Sequence, residues 1–240
     1  MSITNVHSKW VRGALVFYQD HLKRFVDAVG KDVVKYIDDF ISMPVDDQTG
    51  DPTAFTMTVV EAGTGNSTAS STDASGGALL ITTDDNDNDG VNLQLNGESF
   101  IFKSTNDVYI GIFGVTVGNA TQSDFFLGLC PTDTAVLTND TARVGFQKVD
   151  ASTDIKAMAG QTADVSAALG TLADGVAVDL ELYWNGTALE SFINGASTGA
   201  VVVTNIPTGE CRVTLEFLNG LADAPATCQI DKVVVIQVGR

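Results

Sequence analysis

Two short runs of alternating apolar and polar residues, joined by Asn185-Gly186, constrain the fold of this chain more than any other feature. Asn-Gly is typical of a tight turn between antiparallel strands, because both residues tolerate a positive φ. Alternation along the first run, residues 176–184, predicts one face in the core and one in water. The residues predicted to face water are Asp179, Glu181 and Tyr183. Residues 175–199 therefore predict a half-buried antiparallel hairpin.

The rest of the chain continues this pattern of short strands. Runs of β-forming residues alternate with turn residues at intervals of about 8–12 residues, which is typical of a sandwich or jelly roll. A chain of 240 residues, 44% of them hydrophobic, can bury one large core. Its 23 glycines, against 13 lysines and arginines, fit strands and turns better than long charged helices. We predict an all-β protein, a two-sheet antiparallel jelly-roll sandwich over residues 41–240 with a short N-terminal extension.

Charge is unevenly distributed along the chain. The net charge is −17, and such a surface repels phosphate backbones and anionic lipid, so we expect neither nucleic acid nor a membrane as partner. Residues 1–40 carry six basic and five acidic residues, so the excess of acid lies in the body. Two interpretations remain open: an acidic body tethered by a docking segment, or an acidic body that only favours solubility. No run has the length of a signal peptide core or a membrane span.

Residues 1–40 form a distinct segment, predicted to dock on a partner or to mediate oligomerisation. Its aromatic density is high, and so short a segment cannot bury its aromatic rings on itself, so it packs on the body or on a partner. The predicted docking residues are Trp10, Arg12, Phe17, Tyr18, Phe25 and Tyr36. A small hairpin or meander is preferred here, and a helix over residues 21–29 is the alternative, because both periods fit.

The three cysteines Cys130, Cys211 and Cys228 match no metal-binding spacing. We interpret them as buried free thiols, since each lies in or beside an apparent strand. A disulfide between Cys211 and Cys228 is the alternative.

The acidic stretch 85–90 matches the first half of a calcium loop, with oxygen ligands at alternate positions and Gly90 at the turn. The ligands would be Asp85, Asp87 and Asp89. Position twelve of such a loop requires glutamate, but Asn96 stands there. A solvated acidic turn is the alternative interpretation, and no other cofactor is predicted.

Five sequence segments together resemble the concanavalin A-like, laminin G-type jelly roll. They are Gly-Gly-Ala-Leu-Leu-Ile-Thr (76–82), Val-Asp-Leu-Glu-Leu-Tyr-Trp-Asn-Gly (178–186), Phe-Ile-Asn-Gly (192–195), Asn-Ile-Pro (205–207) and Ile-Asp-Lys-Val-Val-Val (230–235). The resemblance covers about residues 40–240 and implies the fold. It leaves function open, because the fold hosts lectins, glycanases and structural modules.

A narrower resemblance links residues 119–130 to virion proteins of tailed bacteriophages. The matching feature is a polar turn that runs into Asp-Phe and then an apolar Gly-Leu strand. This resemblance implies a capsid decoration (cement) protein, made in the host cytoplasm and placed on the capsid surface. Its expected partners are the major capsid protein and neighbouring copies, in a homotrimer.

Catalysis is not predicted from the sequence. Asp179 and Glu181 share one strand face, but the Glu-x-Asp-x-x-Glu arrangement common among glycanases of this fold is missing, and neither His7 nor His21 lies in a nucleophile motif. We therefore predict that the chain is not an enzyme. The alternative function is carbohydrate binding, a lectin-like module for a host glycan with Tyr183 as the sugar contact.

Overall fold

The computed structural model describes residues 5–48, 50–61, 66–72, 76–139, 141–160, 164–202, 206–221 and 224–240, which form strands and contain no helix. Within these residues, no helix could cross a membrane. The strands are β1 (His7–Val11), β2 (Ala14–Tyr18), β3 (Phe25–Val29), β4 (Val33–Asp38), β5 (Phe55–Val60), β6 (Thr68–Ser71), β7 (Leu79–Thr82), β8 (Gly90–Leu95), β9 (Asp107–Val117), β10 (Ser123–Cys130), β11 (Arg143–Lys148), β12 (Asp154–Gly160), β13 (Asp164–Thr171), β14 (Val178–Trp184), β15 (Leu189–Ile193), β16 (Ala196–Val202), β17 (Arg212–Asn219), β18 (Thr227–Ile230) and β19 (Lys232–Val238).

Two large antiparallel sheets form the body. The first sheet has the order β13-β12-β11-β10-β17-β8-β5. The second sheet begins with β16, β15 and β14, and β14 pairs with β9. Strand β9 also pairs with β19 and, further along, with β18. Beyond these, β19 pairs with β4, whereas β18 pairs with β7, which pairs with β6. Alternate residues of both sheets, such as Phe125, Leu215 and Ile112, meet in one core between the layers. The all-β, two-sheet prediction is confirmed.

The predicted hairpin is β14 and β15, paired from Leu180 opposite Ile193 to Trp184 opposite Leu189. The turn contains Gly186 at φ +89°, where a Cβ atom would lie 2.4 Å from the carbonyl oxygen of Ser104. Glycine is therefore required both by the backbone conformation and by the close approach of a neighbouring loop. The antiparallel pairing is confirmed, but the prediction of a half-buried hairpin is wrong, because both faces of β14 are largely buried.

Residues 5–40 lie against the body of their own chain. Strands β1, β2 and β3 form a separate three-stranded sheet, called here the N-terminal sheet, that covers the outer face of the second sheet. Strand β4 follows at once and belongs to the second sheet, where Val33 pairs with Val238. Residues 25–29 form a strand, so the hairpin interpretation is confirmed and the helix over 21–29 is wrong.

All three cysteines are buried free thiols, as predicted. The alternative disulfide between Cys211 and Cys228 does not form. Burial raises the pKa of Cys130 and of Cys228 to about 12, so both remain protonated at neutral pH.

Candidate functional site

Glu181 lies at the centre of the layer between the N-terminal sheet and the second sheet. Its carboxylate accepts a hydrogen bond from Arg24 Nε at 2.8 Å and one from the Tyr109 hydroxyl at 2.9 Å, and a second Arg24 nitrogen donates to its other oxygen. These bonds raise the pKa of Arg24, while burial raises that of Tyr109. Glu181 is fully buried. The prediction that it faces water is therefore wrong, because the N-terminal sheet covers its face of the hairpin.

Tyr183 is also covered by the N-terminal sheet. Only 8% of its surface is exposed, and the Phe25 ring packs edge-on against it at 5.5 Å. Its hydroxyl donates to Asp107, which also accepts a hydrogen bond from Arg12 Nε at 2.8 Å. The prediction of Tyr183 as an exposed sugar contact is wrong, because alternation along the strand cannot reveal a third layer.

The predicted docking residues fall into two groups. Arg12, Phe25 and Tyr36 contact the body of this chain: Arg12 pairs with Asp107, Phe25 is buried, and Tyr36 packs edge-on against Phe55. Phe25 is therefore not available to a partner, which corrects the prediction for it, whereas Arg12 is exposed and Tyr36 is half-buried, so their docking role stays a prediction. Phe17 and Tyr18 are partly exposed and Trp10 is 75% exposed.

A cleft of about 240 Å³ opens where the N-terminal sheet ends over the second sheet. We call it the Phe113 cleft. Phe113 lies between Lys232, its partner across the β9–β19 pair, and Asp179 on β14. Gln19, Arg24, Phe25, Val26 and Val234 complete the lining. Phe113 and Lys232 were not predicted as site residues, because an apolar strand residue and a lone lysine carry no motif.

The polar groups of the cleft differ in how firmly they are held. The Asp179 carboxylate accepts a hydrogen bond from the Gly114 amide at 3.1 Å, and its own amide donates to Asn194 at 2.9 Å. The Arg24 guanidinium lies 5.6 Å from the centre of the Phe113 ring. Among the described residues, the Lys232 ammonium has no hydrogen-bond or ion-pair partner. The cleft therefore offers an aromatic ring between a fixed carboxylate and an unpaired ammonium group.

The predicted calcium ligands are not brought together. Asp85 and Asp87 are exposed, whereas Asp89 is fully buried. Within the described part of the chain, the carboxylates that lie within 4.8 Å of one another belong to Asp89, Asp84 and Glu61. Each of these accepts a hydrogen bond that holds a neighbouring loop: Asp89 from Asn86, Asp84 from Asn66 and Glu61 from Ser67. The ligand set Asp85, Asp87 and Asp89 is thus corrected, and calcium binding remains a prediction.

A buried glutamate lies on the outer face of the first sheet, beneath segment 131–139. Glu216 on β17 accepts a hydrogen bond from the Leu137 amide at 2.8 Å, and its second oxygen has no hydrogen-bond partner among the described residues. On the adjacent strand β8, Asn92 donates to the Asp133 carbonyl oxygen at 2.9 Å. Burial raises the pKa of Glu216 to about 7. The segment therefore covers a polar face that strand alternation alone would leave in water.

No family model matches the sequence, and no curated protein matches it. Solved structures match its fold. An endo-1,3-beta-glucanase from Streptomyces sioyaensis aligns with a TM-score of 0.56 at 13% identity, over 90% of this chain and all of that one. The carbohydrate recognition domain of Emp47p aligns with a TM-score of 0.55 at 13% identity, over 80% of this chain and 93% of that one.

A third match is a prokaryotic beta-1,3-1,4-glucanase (lichenase) derived from a mouse hindgut metagenome, with a TM-score of 0.55 at 13% identity, over 84% of this chain and 98% of that one. These glucanases overturn the prediction that the chain is not an enzyme, since the fold gives no ground for excluding catalysis. The chain has the concanavalin A-like jelly-roll fold of lectin domains and glucanases.

Proposed function

We propose that this protein binds carbohydrate and that the Phe113 cleft is the binding site. The observation that carries the proposal is the row Lys232, Phe113 and Asp179 across three adjacent strands, open to solvent in a cleft of about 240 Å³. A sugar ring has apolar C–H groups that pack on an aromatic face and hydroxyls that donate and accept hydrogen bonds. The cleft offers a partner for each of these groups.

The charges of the cleft suit hydroxyl recognition. Asp179 would accept from one hydroxyl of the sugar, and the Lys232 ammonium would donate to another. The Arg24 guanidinium lies over the Phe113 ring and is already hydrogen-bonded to Glu181 and Asp20. We therefore expect Arg24 to hold the ring in place and not to bind the sugar itself. The volume of the cleft lies below the range typical of sites for drug-sized ligands. This favours a single sugar ring over an extended oligosaccharide.

Glycan-array binding followed by calorimetry on the best ligand tests this site. Asp179→Asn and Lys232→Gln should each weaken binding about tenfold, the loss expected for one hydrogen bond to a charged group. Tyr183→Phe is the matched control, since Tyr183 is covered, and it should bind like the parent protein. Wild-type affinity in both cleft variants would refute the assignment.

We further propose that the protein is a virion structural protein, a capsid decoration subunit on the virion surface that also binds a host glycan. The supporting observation is an apolar row on the outer face of the N-terminal sheet, where Trp10, Leu15 and Val29 are opposite one another on three strands. Trp10 and Val29 are 75% and 58% exposed, as expected of a surface that docks on the major capsid protein or on neighbouring copies in a trimer.

A Trp10→Ser variant tests this role, because it alters the outer row without uncovering the body. Loss of binding to particles that lack the protein, with the fold intact by circular dichroism, is the expected result. Unchanged binding to such particles would contradict the role of this face.

A further inference from the structure

A second pocket, of about 410 Å³, opens at the end of the sandwich where β4 begins and β19 ends. We call it the Gln237 pocket. Its polar lining consists of Glu98, Ser99, Lys103, Glu210, Gln237 and Arg240. It lies at the opposite end of β19 from Lys232, so it is separate from the Phe113 cleft.

Gln237 lines this pocket and carries a buried hydrogen-bond donor that has no partner among the described residues. Its side chain is 1% exposed, and its oxygen accepts a hydrogen bond from the Ile101 amide at 2.8 Å. That bond fixes which end of the amide is oxygen, so the nitrogen is the atom left without a partner. A buried donor without a partner destabilises the folded protein, and a ligand oxygen would supply the missing hydrogen bond.

Two cations of the pocket are also unpaired. Lys103 and Arg240 are exposed, and within the described residues neither forms a hydrogen bond or ion pair through its side chain. In a chain of net charge −17, two cations without acidic partners at one pocket stand out.

Of the two glutamates that line the pocket, Glu98 already has hydrogen-bond and ion-pair partners of its own. Glu98 accepts hydrogen bonds from the amide and hydroxyl of Thr132, each at 2.7 Å, and lies 3.7 Å from Arg212. These hydrogen bonds hold the pKa of Glu98 below its usual range, so the carboxylate is charged, and its partners are Thr132 and Arg212 rather than Lys103 or Arg240. Glu210 is exposed at the rim.

We propose that the Gln237 pocket binds a polyol that carries an oxyanion, such as a sugar acid or a sugar phosphate. Lys103 and Arg240 bind the oxyanion, and the Gln237 amide nitrogen donates to an oxygen of the ligand inside the pocket. Ser99 and Glu210 exchange hydrogen bonds with the hydroxyls. This site uses none of the residues of the Phe113 cleft, so it stands independently of the function proposed there.

Calorimetric titration with glucose 6-phosphate, glucuronate and neutral glucose tests the proposal. Both anions should bind, glucose should bind at least about tenfold more weakly, and Lys103→Gln and Arg240→Gln should each reduce anion affinity about tenfold. Lys156→Gln, which removes an exposed lysine on β12, is the matched control and should bind like the parent.

A titration with inorganic phosphate measures the contribution of the oxyanion to affinity without that of the polyol. Phosphate should bind more weakly than glucose 6-phosphate. A Gln237→Glu variant keeps the acceptor for Ile101 but replaces the donor, and it should lose binding of both sugar anions. The proposal is overturned if neither sugar anion binds, if glucose binds as tightly, or if Lys103→Gln and Arg240→Gln retain parental affinity. Because Lys103 and Arg240 are exposed, their variants are informative even if Gln237→Glu does not fold.

Discussion

Replacing Glu216 by glutamine should stabilise the protein much more at alkaline pH than at acidic pH. Glu216 is fully buried, and its folded-state pKa is about 7 against 4.5 when unperturbed. Because the folded pKa is the higher one, this group favours folding fully below about pH 4.5, and that contribution is lost as the pH rises towards 7. One pKa unit corresponds to about 1.4 kcal/mol, so the full loss is roughly 3 kcal/mol.

Glutamine keeps the acceptor for the Leu137 amide and never ionises. It also places an N–H₂ group opposite Asn92 across the β17–β8 pair, where the Asn92 side-chain oxygen has no hydrogen-bond partner. The variant should therefore exceed the parent in free energy of unfolding by about 1 kcal/mol at about pH 5 and by roughly 3 kcal/mol at about pH 8.

Urea denaturation of both proteins at the two pH values measures this difference directly. Other carboxylates titrate over the same range, but they cancel in the comparison of parent and variant. Glu210→Gln, at an exposed glutamate, is the control and should show no such pH-dependent gain. An equal difference at both pH values for Glu216→Gln would refute the reasoning.

The N-terminal sheet and the thiols give two further tests. Phe25→Ala should lower the free energy of unfolding by about 3–5 kcal/mol, because it leaves a cavity against Tyr109 and Tyr183. Trp10→Ala should change the free energy of unfolding by less than about 0.5 kcal/mol, because Trp10 is exposed. Equal effects of the two substitutions in urea denaturation would contradict the burial of the Phe25 side chain beneath the N-terminal sheet. The three cysteines should react with a thiol reagent only after denaturant unfolds the chain; reaction of the native protein would show that their burial is wrong.

The sequence predicted the sandwich because its evidence is local. The hairpin of β14 and β15 follows from alternation and from Asn185-Gly186, both of which act within a few residues. Strand order and the third layer depend on contacts between distant segments, such as Arg24 with Glu181, and no local pattern specifies them. For the same reason Tyr183 was predicted to face water although its side of the strand is covered.

The candidate sites were less predictable than the fold. The charge imbalance between residues 1–40 and the rest left docking and solubility open, and it did not indicate that this segment covers the body of the same chain. Asp179 was singled out as half of a carboxylate pair, whereas its neighbours in the cleft, Phe113 and Lys232, come from strands β9 and β19. Their proximity results from strand pairing over long sequence separations, which single-sequence patterns do not encode.

The position of β19 between β4 and β9 has a consequence for biosynthesis. Val33 must wait for Val238, roughly 200 residues later, before it can pair, so the chain has high contact order and we expect slow folding. Until β19 leaves the ribosome, the apolar side of the N-terminal sheet lacks Val234, Ile236 and Val238 as partners. Nascent chains should therefore be most prone to aggregate, and most dependent on chaperones, until β19 has emerged and paired.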